Sequence, residues 1–348
     1  MKNMTIGNKA IWITIVATFL VVILAMAGWI YKVYMYDPIG KEKVCIYLTP
    51  GLPADSLRTQ LSQYIPETTA ERVTMLMEYM GYGTPGNERC GYYELSPNLS
   101  IYRAARKLVA GSETPIRFTF NNLRTKEQLT ERIGETFYMS ADTIAALLSD
   151  PSVCASYGFD TVTIVAMFIP DTYEFYWTVS PRRFLDRMHY YYKLYWNDER
   201  KQLADKAGLS PLEVSVLASI VEEETAKADE MPIVAGLYIN RLRRGMLLQA
   251  DPTVKYAVGD FSLRRILNEH LATDSPYNTY LYAGLPPSPI RIPSKTASEA
   301  VLHYAHHNYL YMCAKDDFSG YHLFARTLPE HSRNAAKYHA ALNRRNIK

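Results

Sequence analysis

Little in this sequence points to phosphate, metal or nucleic acid. The 348 residues hold only four cysteines, Cys45, Cys90, Cys154 and Cys313, and none has the spacing of a metal ligand. No glycine-rich phosphate loop occurs. The net charge is only +3 and there is no strong basic run, too little to argue for a nucleic-acid partner. Charged residues make up 21% and hydrophobic residues 48%, ordinary values for a globular protein, and the length allows roughly two or three domains. Tryptophan is scarce at 4 residues and phenylalanine modest at 11, whereas tyrosine reaches 28. Tyrosine joins an apolar ring to a polar tip and suits half-wet clefts, sugar-binding ones among them; it serves equally in ordinary cores and surfaces.

Ala10–Tyr31 is an uncharged, mostly apolar run of 22 residues, long enough to span a bilayer. Lys2 and Lys9 precede it, Lys32 follows, and Trp12, Trp29 and Tyr31 sit near its ends as interfacial aromatics do. The length of the run favours a retained anchor over a signal peptide cleaved near Ala25-Met26-Ala27. Either way the rest of the chain lies beyond the cytoplasm, where disulfides are permitted. Cys45 with Cys90 is the pair to test, and buried free thiols are the alternative. No cysteine follows the run closely enough for lipid attachment.

The expected fold class is α+β. Three segments read as strand, leucine-containing turn and amphipathic helix: Val44–Leu48 with a helix to about Tyr64, Gly91–Leu95 with a helix to Gly111, and Ile116–Phe120 with a helix from Lys126 to about Ile133. Leu61–Arg89 has no counterpart in this pattern. The expected divisions are 1–36 for tail and anchor, 37–135 for a small α+β binding region, 136–204 for a mostly helical connection with a linker near Asp205–Leu209, and 205–348 for a mixed α/β catalytic domain.

Ser210–Thr225 carries the chemistry. Ser210 can cap a helix, Pro211 suits its first position, and Glu213 can reach back to complete a capping box. Val214, Leu217, Val221, Glu224 and Ala228 then follow steps of three and four, so Glu224 falls inside the apolar stripe while Glu222 and Glu223 fall on the polar side. A carboxylate in such a place needs a partner, a wet cleft or a raised pKa, and a raised pKa is what a general acid needs. The plain alternative is an ion pair with one of the arginines at 241 to 244.

A second helix spans Pro232–Arg244 and ends at Gly245. A third follows Asp251 and Pro252, which look like its cap and first position, and ends at Gly259. The prolines of Asp274–Tyr280 and Gly284–Ile290 imply stiff, ordered loops. The tracts Ala218–Thr225, Asn240-Arg-Leu242, Leu248–Val254, Ser275–Tyr280 and Gly284-Leu-Pro-Pro287, with Phe168–Tyr173 upstream, together resemble the MltG (YceG-like) endolytic murein transglycosylases.

That resemblance implies a LysM-like N-terminal region and a lysozyme-like catalytic-helix glutamate. The family's catalytic Glu of a Glu-Thr pair falls on Glu224-Thr225, the same Glu that the helical face selects. The implied reaction is non-hydrolytic cleavage of the MurNAc-β-1,4-GlcNAc bond in peptidoglycan. Glu224 would protonate the glycosidic oxygen and then take the proton of the MurNAc C6 hydroxyl, which closes on C1 to give a 1,6-anhydro end. Thr225, Gln249, Asp251, Asn278 and Tyr280 are the candidate substrate contacts. For Asn278 and Tyr280 loop-internal hydrogen bonding is the alternative, and Asp251 is better explained as a cap than as a second catalytic carboxylate. Asn240 is expected to bond backbone near its helix end. His322, His331 and Asn334 are expected to line the groove or support it. No metal or cofactor is implied. The implied setting is the cytoplasmic (inner) membrane, single-pass, with the catalytic region outside the cytoplasm beside cell-wall synthases. A hydrolytic muramidase using Glu224 and Asp251, and a non-catalytic peptidoglycan-binding scaffold, are the competing readings.

Overall fold

The computed structural model describes residues 6–263 and 265–345, with side chains from Ala10 onward. The apolar run lies in one continuous helix, α1 (Ile6–Met35), and Ala10–Met35 is long and apolar enough to cross a membrane. None of its apolar window is buried, so its large side chains, among them Phe19, Leu20 and Leu24, are left without a protein core to enter. The chain forms two compact units, residues up to Arg117 with Glu174–Thr178, and Phe118–Tyr173 with the segment from Val179 onward.

In the first unit β1 (Val44–Leu48) is followed by α2 (Ala54–Ser62), α3 (Glu67–Tyr79), β2 (Gly91–Leu95) and α4 (Ile101–Val109). The three strands begin and end where the sequence places them, but the strand-turn-helix segments are not three equivalent units. β1 pairs antiparallel with β2, from Val44 opposite Leu95 to Leu48 opposite Gly91, with two helices between them. The stretch without a counterpart holds α3. Alternation decides the pairing, because Val44, Ile46 and Leu48 share one face with Tyr93 and Leu95 and bury it against Leu57, Leu61, Val73 and Met77. The register also rules out the suggested disulfide. Cys45 faces Glu94 while Cys90 lies beyond the other end of the ladder, on the order of 13 Å along the strand, about twice what a bridge tolerates. All four cysteines are free thiols.

β3 (Ile116–Phe120) pairs with β4 (Asp171–Phe175). The second unit continues through α5 (Lys126–Thr136), α6 (Ala141–Ser149), α7 (Pro151–Ser156), a 3-10 turn, α8 (Pro181–Tyr195), α9 (Asp198–Ala207), α10 (Pro211–Glu224), α11 (Met231–Arg243), α12 (Asp251–Val258), α13 (Asn268–Leu271) and α14 (Lys295–Leu302). It closes with a hairpin, β5 (Tyr311–Ala314) and β6 (His322–Ala325), and α15 (Leu328–Arg344). The boundaries expected at 135/136 and 204/205 both fall inside this unit. The linker expected near Asp205 is the last turn of α9, closed by Gly208 at φ 78° and followed by the buried Leu209. The fold is α+β as expected, mostly helical in this unit, and its strands form two-stranded sheets.

The capping box forms as read: Glu213 N–H donates to Ser210 Oγ at 3.2 Å, and Ser210 N–H to Glu213 Oε2 at 2.7 Å. Every residue from Val214 to Val221 is buried, so α10 is a central helix with no polar side. It packs between α14, α11 and α12, with Tyr195 and Trp196 in the same core. α11 approaches the 305–307 segment so closely that a Cβ on Gly236 would run into Ala305 O and the His307 ring.

Candidate active site

A central helix changes the reading of the three glutamates. Glu222 and Glu223 do not sit on a solvated face. Glu223 pairs with Arg291 at 2.6 Å and with Arg124 at 2.9 Å. Glu222 lies 3.5 Å from Arg291 Nε and accepts the Ser294 N–H at 2.9 Å. Glu224, at the end of α10, has no ion pair among the described residues, so the alternative of a pair with an arginine at 241 to 244 is not formed, and the arginines that hold its neighbours are Arg124 and Arg291. It is partly buried, and its Oε1 accepts a 2.6 Å hydrogen bond from the Tyr238 hydroxyl on α11.

Burial pushes the Glu224 carboxyl up to about 7 and the Asp251 charge adds to the rise, against the lowering effects of the Tyr238 hydrogen bond, His322 and Arg241. Glu224 therefore holds a proton up to near neutrality. Tyr238 is held neutral, first by burial and then by the adjacent carboxyl, so its hydroxyl remains a donor.

Two cavities meet at Glu224 and Asp251. One, of about 250 Å³, is bounded by Tyr238, Arg241, Gln249, Tyr280 and His322; the other, of about 800 Å³, by Lys255, Arg265, Tyr338 and Asn343. The loops that build them are cross-tied. Gln249 N–H donates to Thr279 O at 3.0 Å, Ala250 N–H to Thr279 Oγ1 at 3.1 Å, and the Thr253 and Thr279 hydroxyls meet at 2.8 Å. That clamp brings Asp251 and Tyr280 together, with the Tyr280 hydroxyl donating to Asp251 Oδ1 at 2.6 Å. Ser219 Oγ, buried on α10, accepts the Ile290 N–H at 3.0 Å and ties down the proline-rich loop.

Asp251 is not the helix cap. Ala250 holds that position, Asp251 is the first helical residue, and no side chain caps the turn. Its carboxylate is exposed toward the cleft instead. Gln249 is also exposed, at a left-handed φ of 51°, and the Arg241 guanidinium holds this turn through Leu247 O at 3.0 Å and Leu248 O at 2.7 Å. Asn278 is fully buried and its polar atoms serve the loop: its amide donates to Leu271 O and Thr273 O, and its Oδ1 accepts the Tyr280 N–H. Thr225 is buried, with its hydroxyl accepting the Lys227 N–H at 3.1 Å. Asn240 does bond backbone, but across space, to His307 O and Tyr309 O. His322 borders the smaller cavity, whereas His331 stacks on Tyr311. Tyr238 is a site residue that sequence reasoning missed. It sits in a helix whose pattern is mostly apolar, and no local motif marks it.

Residues 47–337 match the YceG-like family. The chain belongs to that family. This YceG-like chain is 25% identical over 338 residues to a Bacillus subtilis protein named endolytic murein transglycosylase, covering 91% of each. It is 24% identical over 327 residues to a Streptococcus pneumoniae protein of the same name, and there it spans 58% of the relative's length. A crystal structure of a YceG-like protein from Listeria monocytogenes superposes with a TM-score of 0.56 at 27% identity, over 84% of this chain and 99% of that one.

The two neighbours of Glu224 push its proton affinity in opposite directions, which gives a test independent of any activity. Tyr238→Phe removes a donor that favours the charged form, so the Glu224 midpoint should rise above about 7. Asp251→Asn removes a like charge, so the midpoint should fall. Carboxyl carbon NMR of the two variants checks both, and shifts of the same sign would contradict the arrangement.

Proposed function

We propose that this chain is a membrane-anchored endolytic lytic transglycosylase that cleaves MurNAc-β-1,4-GlcNAc bonds in nascent peptidoglycan, with Glu224 as the proton donor. The observation that carries the proposal is the state of Glu224. It is a carboxyl without an ion pair, protonated up to about 7, where two cavities join, in a chain similar to proteins named endolytic murein transglycosylases.

Glu224 donates its proton to the glycosidic oxygen as the C1–O4 bond breaks. The MurNAc C6 hydroxyl closes on C1 of the same sugar and its proton is taken up, so no water is consumed. Attack from within one sugar gains from proximity, which lessens the need for a second carboxylate. Two cavities that share Glu224 and Asp251 leave room for more sugar than one ring, which suits a strand cut internally. Gln249, Asp251 and Tyr280 are positioned to meet sugar hydroxyls, while Thr225 and Asn278 act by holding the helix end and the loop. In the first unit the exposed Tyr47 lies edge-on to the half-buried Trp177, ring centroids 4.9 Å apart, and offers a face for a sugar ring that supports the LysM-like, glycan-binding reading of that unit. The helix Ala10–Met35 serves as a single-pass anchor, keeping the catalytic region outside the cytoplasm beside the synthases whose strands it terminates.

Asp251 gives the hydrolytic reading an observation of its own, because its carboxylate is free of capping and shares the cleft with Glu224. Mass spectrometry of uncrosslinked glycan strands treated with the detergent-solubilised full chain separates the two. Internal fragments ending in 1,6-anhydroMurNAc are expected. Reducing MurNAc ends would instead make Asp251 the second catalytic carboxylate, and intact strands would leave a binding protein.

A further inference from the structure

Glu230 is a carboxylate with 2% of its surface exposed, and the reaction above gives it no task. Both its oxygens go to one residue. Oε1 accepts the His322 backbone N–H at 2.7 Å, and Oε2 lies 2.9 Å from His322 Nδ1. An ionised carboxylate only accepts, so Nδ1 carries the hydrogen and the neutral ring keeps its lone pair on Nε2. His322 opens β6, opposite Ala314 on β5, and borders the same small cavity as Glu224, Tyr238 and Asp251. A buried carboxylate that fixes the tautomer and direction of an imidazole facing a reaction site is the arrangement by which a histidine becomes a general base.

We propose that His322, oriented by Glu230, is the second catalytic group of this site, taking the proton of the sugar hydroxyl that closes on C1. The inference rests on the transglycosylase reading and divides its proton transfers between two residues. The Glu224 proton goes to O4 as the C1–O4 bond breaks. The C6 hydroxyl proton goes to His322 Nε2 as the O6–C1 bond forms, and it returns to Glu224 through solvent. Atoms balance without water or any redox partner. Glu224 then need not serve both the departing O4 of GlcNAc and the attacking O6 of MurNAc in succession.

The test uses the full chain in detergent on uncrosslinked glycan strands, counting 1,6-anhydroMurNAc ends. His322→Asn retains a side-chain donor for Glu230 but lacks the acceptor on the cavity side. It should fold, keep KM within about threefold and lose about 100-fold in kcat, the scale of a missing general base. His322→Ala should lose a similar factor and regain about tenfold with free imidazole, because the missing group is a base and not a support. Near-wild-type kcat in His322→Asn overturns the proposal. So does a loss in His322→Ala that imidazole leaves unchanged, and so does a change confined to KM. If His322→Ala does not fold, the Asn variant decides alone. A wild-type chain that releases no anhydro ends would remove the transglycosylase reading itself, whereas active wild type with active His322→Asn removes only the role of His322.

Discussion

Replacing Glu224 with Gln should abolish strand cleavage while making the protein more stable above neutral pH. The activity loss follows from removing a cleft carboxyl that holds a proton near pH 7, and a lost general acid costs on the order of 100- to 10,000-fold in kcat. The stability gain follows from linkage. Glu224 has a folded pKa raised to about 7 from 4.5, so its favourable contribution is complete below about 4.5 and is lost as pH rises through about 7. Above that point the native state carries an ionised carboxyl that burial disfavours. Gln keeps the shape, can still accept the Tyr238 hydrogen bond, and has no such burden. Allowing for the partial exposure of Glu224, the variant's advantage should grow by about 2 kcal/mol between pH 4.5 and pH 8. Urea midpoints at the two pH values measure it, alongside cleavage assays on the same preparations. A Glu224→Gln protein that is inactive and also less stable at pH 8 would mark the residue as a structural partner, which is the scaffold reading. Inactivity with raised stability is the signature of a site held ready at the expense of the fold.

Much of this could be read from the chain because local signals are strong where they occur. β1, β2 and β3 were legible as short β-branched and aromatic runs between turn residues, and α10 through its serine, proline and glutamate at the start. Gly245 and Gly259 end helices at φ 64° and 78°, as their positions imply. The partner of each strand was not legible, because β1 finds β2 only after two intervening helices, and that depends on core packing at long range. Of the three glutamates Glu224 alone borders both cavities, yet the argument about one apolar face that singled it out does not hold. The helix is buried on all sides, and what separates Glu224 from Glu222 and Glu223 is the location of arginines 68 residues or more away in the chain. Asp251 misled for a related reason. Asp before Pro reads as a cap, but the threonine clamp moves the cap to Ala250 and turns the carboxylate into the cleft.

The second large effect concerns those arginines. Arg291 donates to Glu223 at 2.6 Å and to Asn122 at 2.6 Å and lies 3.5 Å from Glu222, with side-chain exposures of 10% for the arginine and 13% for each glutamate. Replacing it with Met leaves two shielded carboxylates with one remaining cation, Arg124, on Glu223 alone. Breaking a buried pair by removing one partner costs about 3–5 kcal/mol, since the desolvation stays while the compensating charge goes. For a unit of this size that corresponds to a fall in Tm of roughly 10 °C. Adding Glu222→Gln to Arg291→Met should recover part of the loss, because it removes one stranded charge. An Arg291→Met protein within about 0.5 kcal/mol of wild type, the size expected of an ordinary surface change, would return Glu222 and Glu223 to a solvated face. The contrast with Glu224 is the physical point. Three consecutive carboxylates at the end of one buried helix meet two different fates. Two are neutralised by arginine and fix the helix end, and the third is denied a cation and keeps a proton to give away.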